Sequence, residues 1–243
     1  MKKIFIALVV IAVGCLGWFV WSSRQNTDTD DQTNNTTFDK SQYSLDEPSS
    51  LWVIANKQRP LQPTSYAPND LVAPEVTLRL PASSEEMLLR TAAANALEEL
   101  FAAAKQDGLD LMLASAYRSY SYQEGLYNTY VKQQGQSTAD TQSARPGYSE
   151  HQTGLAADIE PASRECEVTT CFADMPEGKW LAEHAYEYGF VIRYPQGKAD
   201  VTGYIYEPWH LRYVGKELAT EVRQQDVPTL EEFFDLPAAP DYR

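Results

Sequence analysis

The stretch 148-YSEHQTGLAADIEP-161 sets His151 and Asp158 seven residues apart, with Gly154, Leu155, Ala156 and Ala157 filling most of the gap. On a regular strand, residues an odd number apart point to opposite faces. Both side chains can reach one point only if the backbone breaks step, and Gly154 permits a turn or bulge that does so. The apolar residues after it add no competing polar group. Two readings stay open on these residues: a metal held across a turn and a short strand, or a turn followed by an ordinary strand.

The flanking sequence sets the frame. Upstream, 83-SSEEMLLRTAAANALEELFAAAKQDG-108 places Ser83 three before Glu86, a capping-box spacing, and then repeats Leu89, Ala93, Ala96, Leu97 and Leu100 at helical intervals before Gly108. This predicts one long helix. Residues 109-LDLMLASAY-117 read as an interior strand, and a second helix is expected over Ser121 to Gln134. Downstream, 179-KWLAEHAYEYG-189 reads as a helix closed by Gly189, 190-FVIRYP-195 as a strand stopped by proline, 204-YIYEPWHLRYVG-215 as a strand interrupted at Pro208, and 216-KELATEVRQQD-226 as a last helix. Short, turn-linked strands late in the chain favour an α+β fold, a small antiparallel sheet with flanking helices, over a doubly wound one. No GxGxxG or P-loop is present, so nothing points to a nucleotide.

The chain has three histidines, His151, His184 and His210. A hydrolytic zinc site needs two or three N or O ligands and one open position, and His151, Asp158 and His210 could supply them. Glu207 lies three before His210. A carboxylate beside a metal-activated water can take its proton and return it to a leaving amine. Any one histidine alone reads more simply as a surface or core residue; it is the grouping in two tight motifs that argues for a site. His184, on a predicted helix, lies away from both. Tyr117, Tyr194 and Trp209 read equally as cleft or core residues, with Trp209, between base and ligand, better placed to support the site.

Taken together, "SEHQTGLAAD" resembles the SxHxxGxAxD motif of the zinc peptidases that include the VanY-type D-alanyl-D-alanine carboxypeptidases. "EPWH" resembles their glutamate-to-histidine block, and "SAYRSYSYQ" (115–123) the arginine-containing segment upstream. The resemblance runs from about Leu51 to Phe234. It implies the D-Ala-D-Ala carboxypeptidase/hedgehog type of fold, Zn2+ held by His151, Asp158 and His210, Glu207 as catalytic base, and Ser149, Arg118 and Gln123 as substrate contacts. Arg118 also has a rationale of its own, because a guanidinium fork grips a terminal carboxylate bidentately. The implied activity is removal of the terminal D-alanine from peptidoglycan stem peptides. D,D specificity is favoured; the alternatives are an L,D-carboxypeptidase acting on tetrapeptides, a cross-link endopeptidase, and a non-catalytic peptidoglycan-binding module.

The ends bound where this happens. Ile4 to Trp21 is an uncharged run of 18 residues behind Lys2 and Lys3, at the lower limit for a membrane-spanning helix. Residues 1–22 are read as an uncleaved anchor with the remainder exported. A lipoprotein signal at Cys15 is the second reading, since "AVGC" fits loosely and the apolar run continues beyond it. Residues 23–50, rich in Asn, Thr, Asp, Gln and Ser, are expected to form a flexible linker of roughly 30 Å root-mean-square span. The carboxypeptidase domain is expected over 51–243, a monomer at the outer face of the membrane. Cys166 and Cys171 read as a disulfide in an oxidising compartment. The net charge of −14, with no basic stripe, argues against nucleic acid as a partner.

Overall fold

Four strands make the central sheet of a computed structural model that describes residues 38–243. In chain order the elements are β1 (Leu71–Val72), β2 (Leu89–Arg90), α1 (Thr91–Gln106), β3 (Leu111–Ser115), α2 (Tyr120–Gln134), α3 (Gln136–Gln142), β4 (Ala156–Pro161), α4 (Pro176–His184), β5 (Phe190–Tyr194), α5 (Ala199–Thr202), β6 (Glu207–Tyr213), α6 (Lys216–Gln224) and α7 (Leu230–Phe233). The sheet runs β3-β4-β6-β5 with every neighbour antiparallel. This is the expected α+β architecture. β1 and β2 form a separate two-stranded ladder.

The helix expected from Ser83 begins instead at Thr91, with no capping side chain. Residues 85–90 are drawn off by tertiary hydrogen bonds. Glu86 and Leu88 carbonyls accept from Ala116 and Tyr117 amides at 2.5 and 2.9 Å, and the Arg90 amide donates to Gly154 at 2.9 Å. Met87, ending a 3-10 turn, and Leu89, in β2, are both fully buried. The capping-box spacing is not realised: the 3-10 turn, Glu85–Met87, follows Ser84 with no capping side chain, and the helix starts later. From Thr91 the periodicity holds: Ala93, Leu97, Leu100 and Ala104 are buried in the main core with Leu113, Ile159, Leu181, Phe190 and Leu211.

Both central strands are buried along nearly their whole length. Pro208 does not interrupt β6. It sits within the strand, and the ladder to β5 shifts register between Ile192 and Tyr194, opposite it. A proline has no N–H to give a ladder, and an irregularity of this kind absorbs the loss.

A second core gathers Trp52, Ile54, Val214, Leu218, Phe233 and Phe234. Phe38 stacks on Trp52 at 5.5 Å, and the Tyr43 ring meets the same indole at 5.0 Å. The compact unit accordingly runs from Phe38 to Arg243. Residues 38–50, expected in the linker, belong to the folded unit because their two aromatics have an apolar surface to cover. The Cys166–Cys171 disulfide is formed, with Cα atoms 5.6 Å apart. The expected anchor, Cys15 and the linker up to residue 37 lie outside the described residues. Among the described residues, no helix is long and apolar enough to cross a membrane.

Candidate active site

Asp158 and His210 face each other across the β4–β6 ladder as direct register partners. His151 comes from the 3-10 turn Glu150–Thr153 that leads into β4. Gly154 closes that turn in the left-handed region at φ 69°, where a Cβ would lie 2.9 Å from both Arg90 Cγ and Leu71 Cδ2. Only glycine combines that dihedral with that close approach. The turn brings His151 over the strand, so the odd spacing to Asp158 no longer separates them.

One ligand atom from each of His151, Asp158 and His210 lies within 4.8 Å of the others. His151 Nδ1 donates to the Ala116 carbonyl at 2.5 Å, which leaves Nε2 free on the side of Asp158, 3.4 Å from Oδ2. His210 Nδ1 is 3.2 Å from Asp158 Oδ1 and 3.6 Å from Glu207 Oε2. Asp158 Oδ1 is buried and accepts no hydrogen bond. Two imidazole nitrogens and a carboxylate, converging with one oxygen unsatisfied, fit a zinc ion.

The electrostatics agree with a site that wants a cation. Burial raises the Glu207 carboxyl to about 8, with Asp158 adding to the shift against the pull of His210 and Arg118. Burial and the Arg118 charge bring His151 down to about 4. Burial would also lower His210, but the adjoining Asp158 and Glu150 carboxylates, with Glu207, override it and lift the ring to about 9. Protons on Glu207 and His210 stand where a dication would otherwise balance the carboxylates.

A cleft of about 210 Å³ opens on this cluster, lined among others by Arg118, Ser149, Glu207 and Trp209. Arg118 donates through Nη2 to Asp158 at 2.7 Å and through Nε to Ser115 at 3.1 Å; Nη1 makes no hydrogen bond among the described residues. Tyr194 tilts against His210 at 4.8 Å and also lines the cleft. Trp209 is both wall and core.

Two candidate residues lie off the cleft lining. Gln123 is fully buried behind the wall, where its amide donates to Ser143 Oγ at 3.1 Å and to the Ala144 carbonyl at 2.7 Å. It shapes the cleft through that loop and does not line it. Tyr117 is likewise buried and absent from the lining, which is the core reading of the two left open for it; its amide donates to the Leu88 carbonyl at 2.9 Å. His184 pairs with Glu187 at 3.0 Å on the surface and takes no part in the cluster.

Sequence reasoning misses the charges beneath the site. Glu150, Arg193, Arg212 and Glu231 are essentially inaccessible to solvent. Burial alone would raise the Glu150 carboxyl, but the Arg193 and Arg212 guanidiniums outweigh it and hold it well below the usual carboxylate range. The one available signal is that Arg193 interrupts the otherwise apolar strand β5.

The model of the family described as VanY: D-alanyl-D-alanine carboxypeptidase matches residues 86–216. A D-alanyl-D-alanine carboxypeptidase of Enterococcus faecalis is 33% identical over 199 residues, spanning 78% of this chain and 68% of its own. Among solved structures, that of the LdcB LD-carboxypeptidase superposes with a TM-score of 0.73 and 44% identity, covering 77% of this chain and 87% of that one. A mutant of the vancomycin resistance D,D-pentapeptidase VanY from the VanB-type cassette, in complex with Zn(II), gives 0.61 and 32%, covering 76% and 98%.

Proposed function

The chain belongs to the VanY D-alanyl-D-alanine carboxypeptidase family and is a zinc-dependent cell-wall carboxypeptidase; within that class we propose that it removes the terminal D-alanine of peptidoglycan tetrapeptide stems, as an L,D-carboxypeptidase. The observation that carries the hydrolytic reading is the convergence of His151, Asp158, His210 and Glu207 at the floor of one cleft. The motifs alone do not separate D,D from L,D specificity, since the zinc and base positions are common to both kinds. The likeness of the whole domain weighs toward L,D: 44% identity and a TM-score of 0.73 to the LD-carboxypeptidase, against 32% and 0.61 to the D,D-pentapeptidase.

His151, whose Nε2 is left free, Asp158, and His210, whose Nδ1 faces Asp158, would hold the zinc. When bound, the ion supplies a Lewis acid that polarises a carbonyl and lowers the pKa of a water toward neutrality. Glu207 takes a proton from the attacking water as the C–O bond forms, then gives it to the departing amine as the C–N bond breaks. Its buried setting suits both halves, because a carboxylate made reluctant to stay charged binds a proton firmly enough to carry it. Arg118, with Nη1 uncommitted and its side chain 16% exposed, faces the cleft where a terminal carboxylate would lie. Ser149, on the cleft wall, is placed to hydrogen-bond the peptide. We further place the enzyme at the outer face of the membrane, tethered by Ile4–Trp21; the formed disulfide supports an oxidising location.

Mass spectrometry on the zinc-loaded protein tests the assignment. Tetrapeptide and pentapeptide muropeptides are supplied separately, with Glu207→Ala as control. Loss of one alanine from the tetrapeptide is expected. Loss from the pentapeptide alone would restore the D,D assignment. No loss from either with zinc bound would remove the carboxypeptidase reading.

A further inference from the structure

We propose that Glu150 is a positioning residue for the metal centre: its Oε2 takes the Nε2–H of His210, fixing the ring with Nδ1 turned toward the zinc. The inference rests on the assignment of His210 as a ligand. It begins with two orphaned atoms. His210 Nε2 and Glu150 Oε2 are both buried, and neither has a hydrogen-bond partner. They face each other at 3.9 Å. That is about 1 Å longer than a charge-assisted hydrogen bond, so a small rotation of ring and carboxylate satisfies both at once. Buried polar atoms without partners are rare enough that two within reach of each other call for this explanation.

The rest of Glu150 is arranged to leave Oε2 for the purpose. Its other oxygen, Oε1, accepts from Arg193 Nε at 2.8 Å and from Arg212 Nη1 at 3.0 Å. The arginines are themselves pinned. Arg193 forks onto Glu231 at 2.6 and 2.8 Å, and Arg212 Nη2 donates to the Val53 and Leu51 carbonyls at 2.8 and 3.1 Å. The carboxylate therefore cannot swing away from the imidazole. The other ligand histidine is held by the same logic with a different acceptor, His151 Nδ1 on the Ala116 carbonyl. The two rings thus bind through opposite nitrogens, His151 through Nε2 and His210 through Nδ1. Outer partners of this kind set the tautomer and basicity of a metal-binding histidine, and losing one costs about 10- to 100-fold in metal affinity.

The test is a double-mutant cycle in zinc affinity on the full-length chain, measured by chelator competition, with the native fold of each variant checked by circular dichroism. Glu150→Gln is expected to weaken zinc binding about 10- to 100-fold when His210 is present, and to have an effect smaller than about threefold in the His210→Ala background. Equal losses in both backgrounds, or no loss in either, would overturn the proposal. Should Glu150→Gln not fold, nitrogen-15 spectra of the zinc-loaded wild type decide the matter. The expected result is a His210 ring protonated at Nε2 and metallated at Nδ1; metallation at Nε2 would overturn it. Wild-type zinc binding and muropeptide turnover are recorded alongside, so failure of the catalytic assignment shows as absent turnover with the coupling intact.

Discussion

Glu207 carries a conflict that can be measured at a single residue. Its carboxyl stands at about 8, against an ordinary value of 4.5. In the metal-free protein the folded state therefore holds a proton that the unfolded chain releases above about 4.5. A raised folded pKa means that stability is fully present below the unfolded value and is lost as pH climbs through the window from 4.5 to 8. Glutamine mimics the protonated acid and does not titrate. Glu207→Gln should thus raise the melting temperature of chelator-treated protein at pH 7.5 by several degrees, with the gain vanishing near pH 4.5. The same variant with zinc should lose about 10²- to 10⁴-fold in turnover, the usual contribution of a positioned general base. Calorimetry across pH, paired with muropeptide assays, checks both halves; equal melting temperatures at pH 7.5 would mean that burial does not set the proton affinity of this group.

At the scale of the element, the turn from Glu150 to Gly154 and the strand β4 behave as one unit, and Gly154 is its hinge point. Gly154→Ala forces a methyl group into Arg90 Cγ and Leu71 Cδ2 at a φ of 69°. It should cost about 1–3 kcal/mol and weaken zinc binding, because His151 and Asp158 hang from either side of it. Gly125 is the internal comparison. It lies in the middle of α2 with nothing within 4 Å of a Cβ, so Gly125→Ala should stabilise by about 0.5–1 kcal/mol. Urea unfolding of the two variants should move the midpoint in opposite directions. This unit was legible in the sequence because its requirements are local: a glycine, small neighbours, and metal-type residues at a spacing that only a turn reconciles. The start of α1 was not. Its register depends on Ala116 and Tyr117 amides reaching residues 86 and 88 from another part of the chain, and no local pattern records such a demand. Gln123 was misplaced for the same reason, since spacing near a motif does not say which way a side chain turns.

The buried charge network joins parts of the chain that no sequence window contains. Glu150 comes from the site turn, Arg193 from β5, Arg212 from β6, Glu231 from α7 and Asn56 from the N-terminal part of the folded unit. A reader of sequence assigns charged residues to the surface by default, and these become visible as interior only when the fold closes over them. Their effect on the whole molecule follows from linkage. Arg193 and its neighbours hold Glu150 and Glu231 below their ordinary 4.5. The stability they contribute is therefore present above about 4.5 and is lost as pH falls below it. Arg193→Met strips the guanidinium from both carboxylates while roughly keeping volume. Leaving a buried charge without its partner should cost about 3–5 kcal/mol at pH 7. Both carboxylates then shift upward, with Glu231 moving further because Arg212 still pairs with Glu150. The variant accordingly takes up protons between pH 7 and 5 that the wild type does not. The stability gap between the two should narrow steadily over that range, with zinc saturating in both so that shared titrations cancel. A gap that stays constant from pH 7 to 5 would show that these carboxylates are not held ionised by Arg193, and the network would then matter to packing alone.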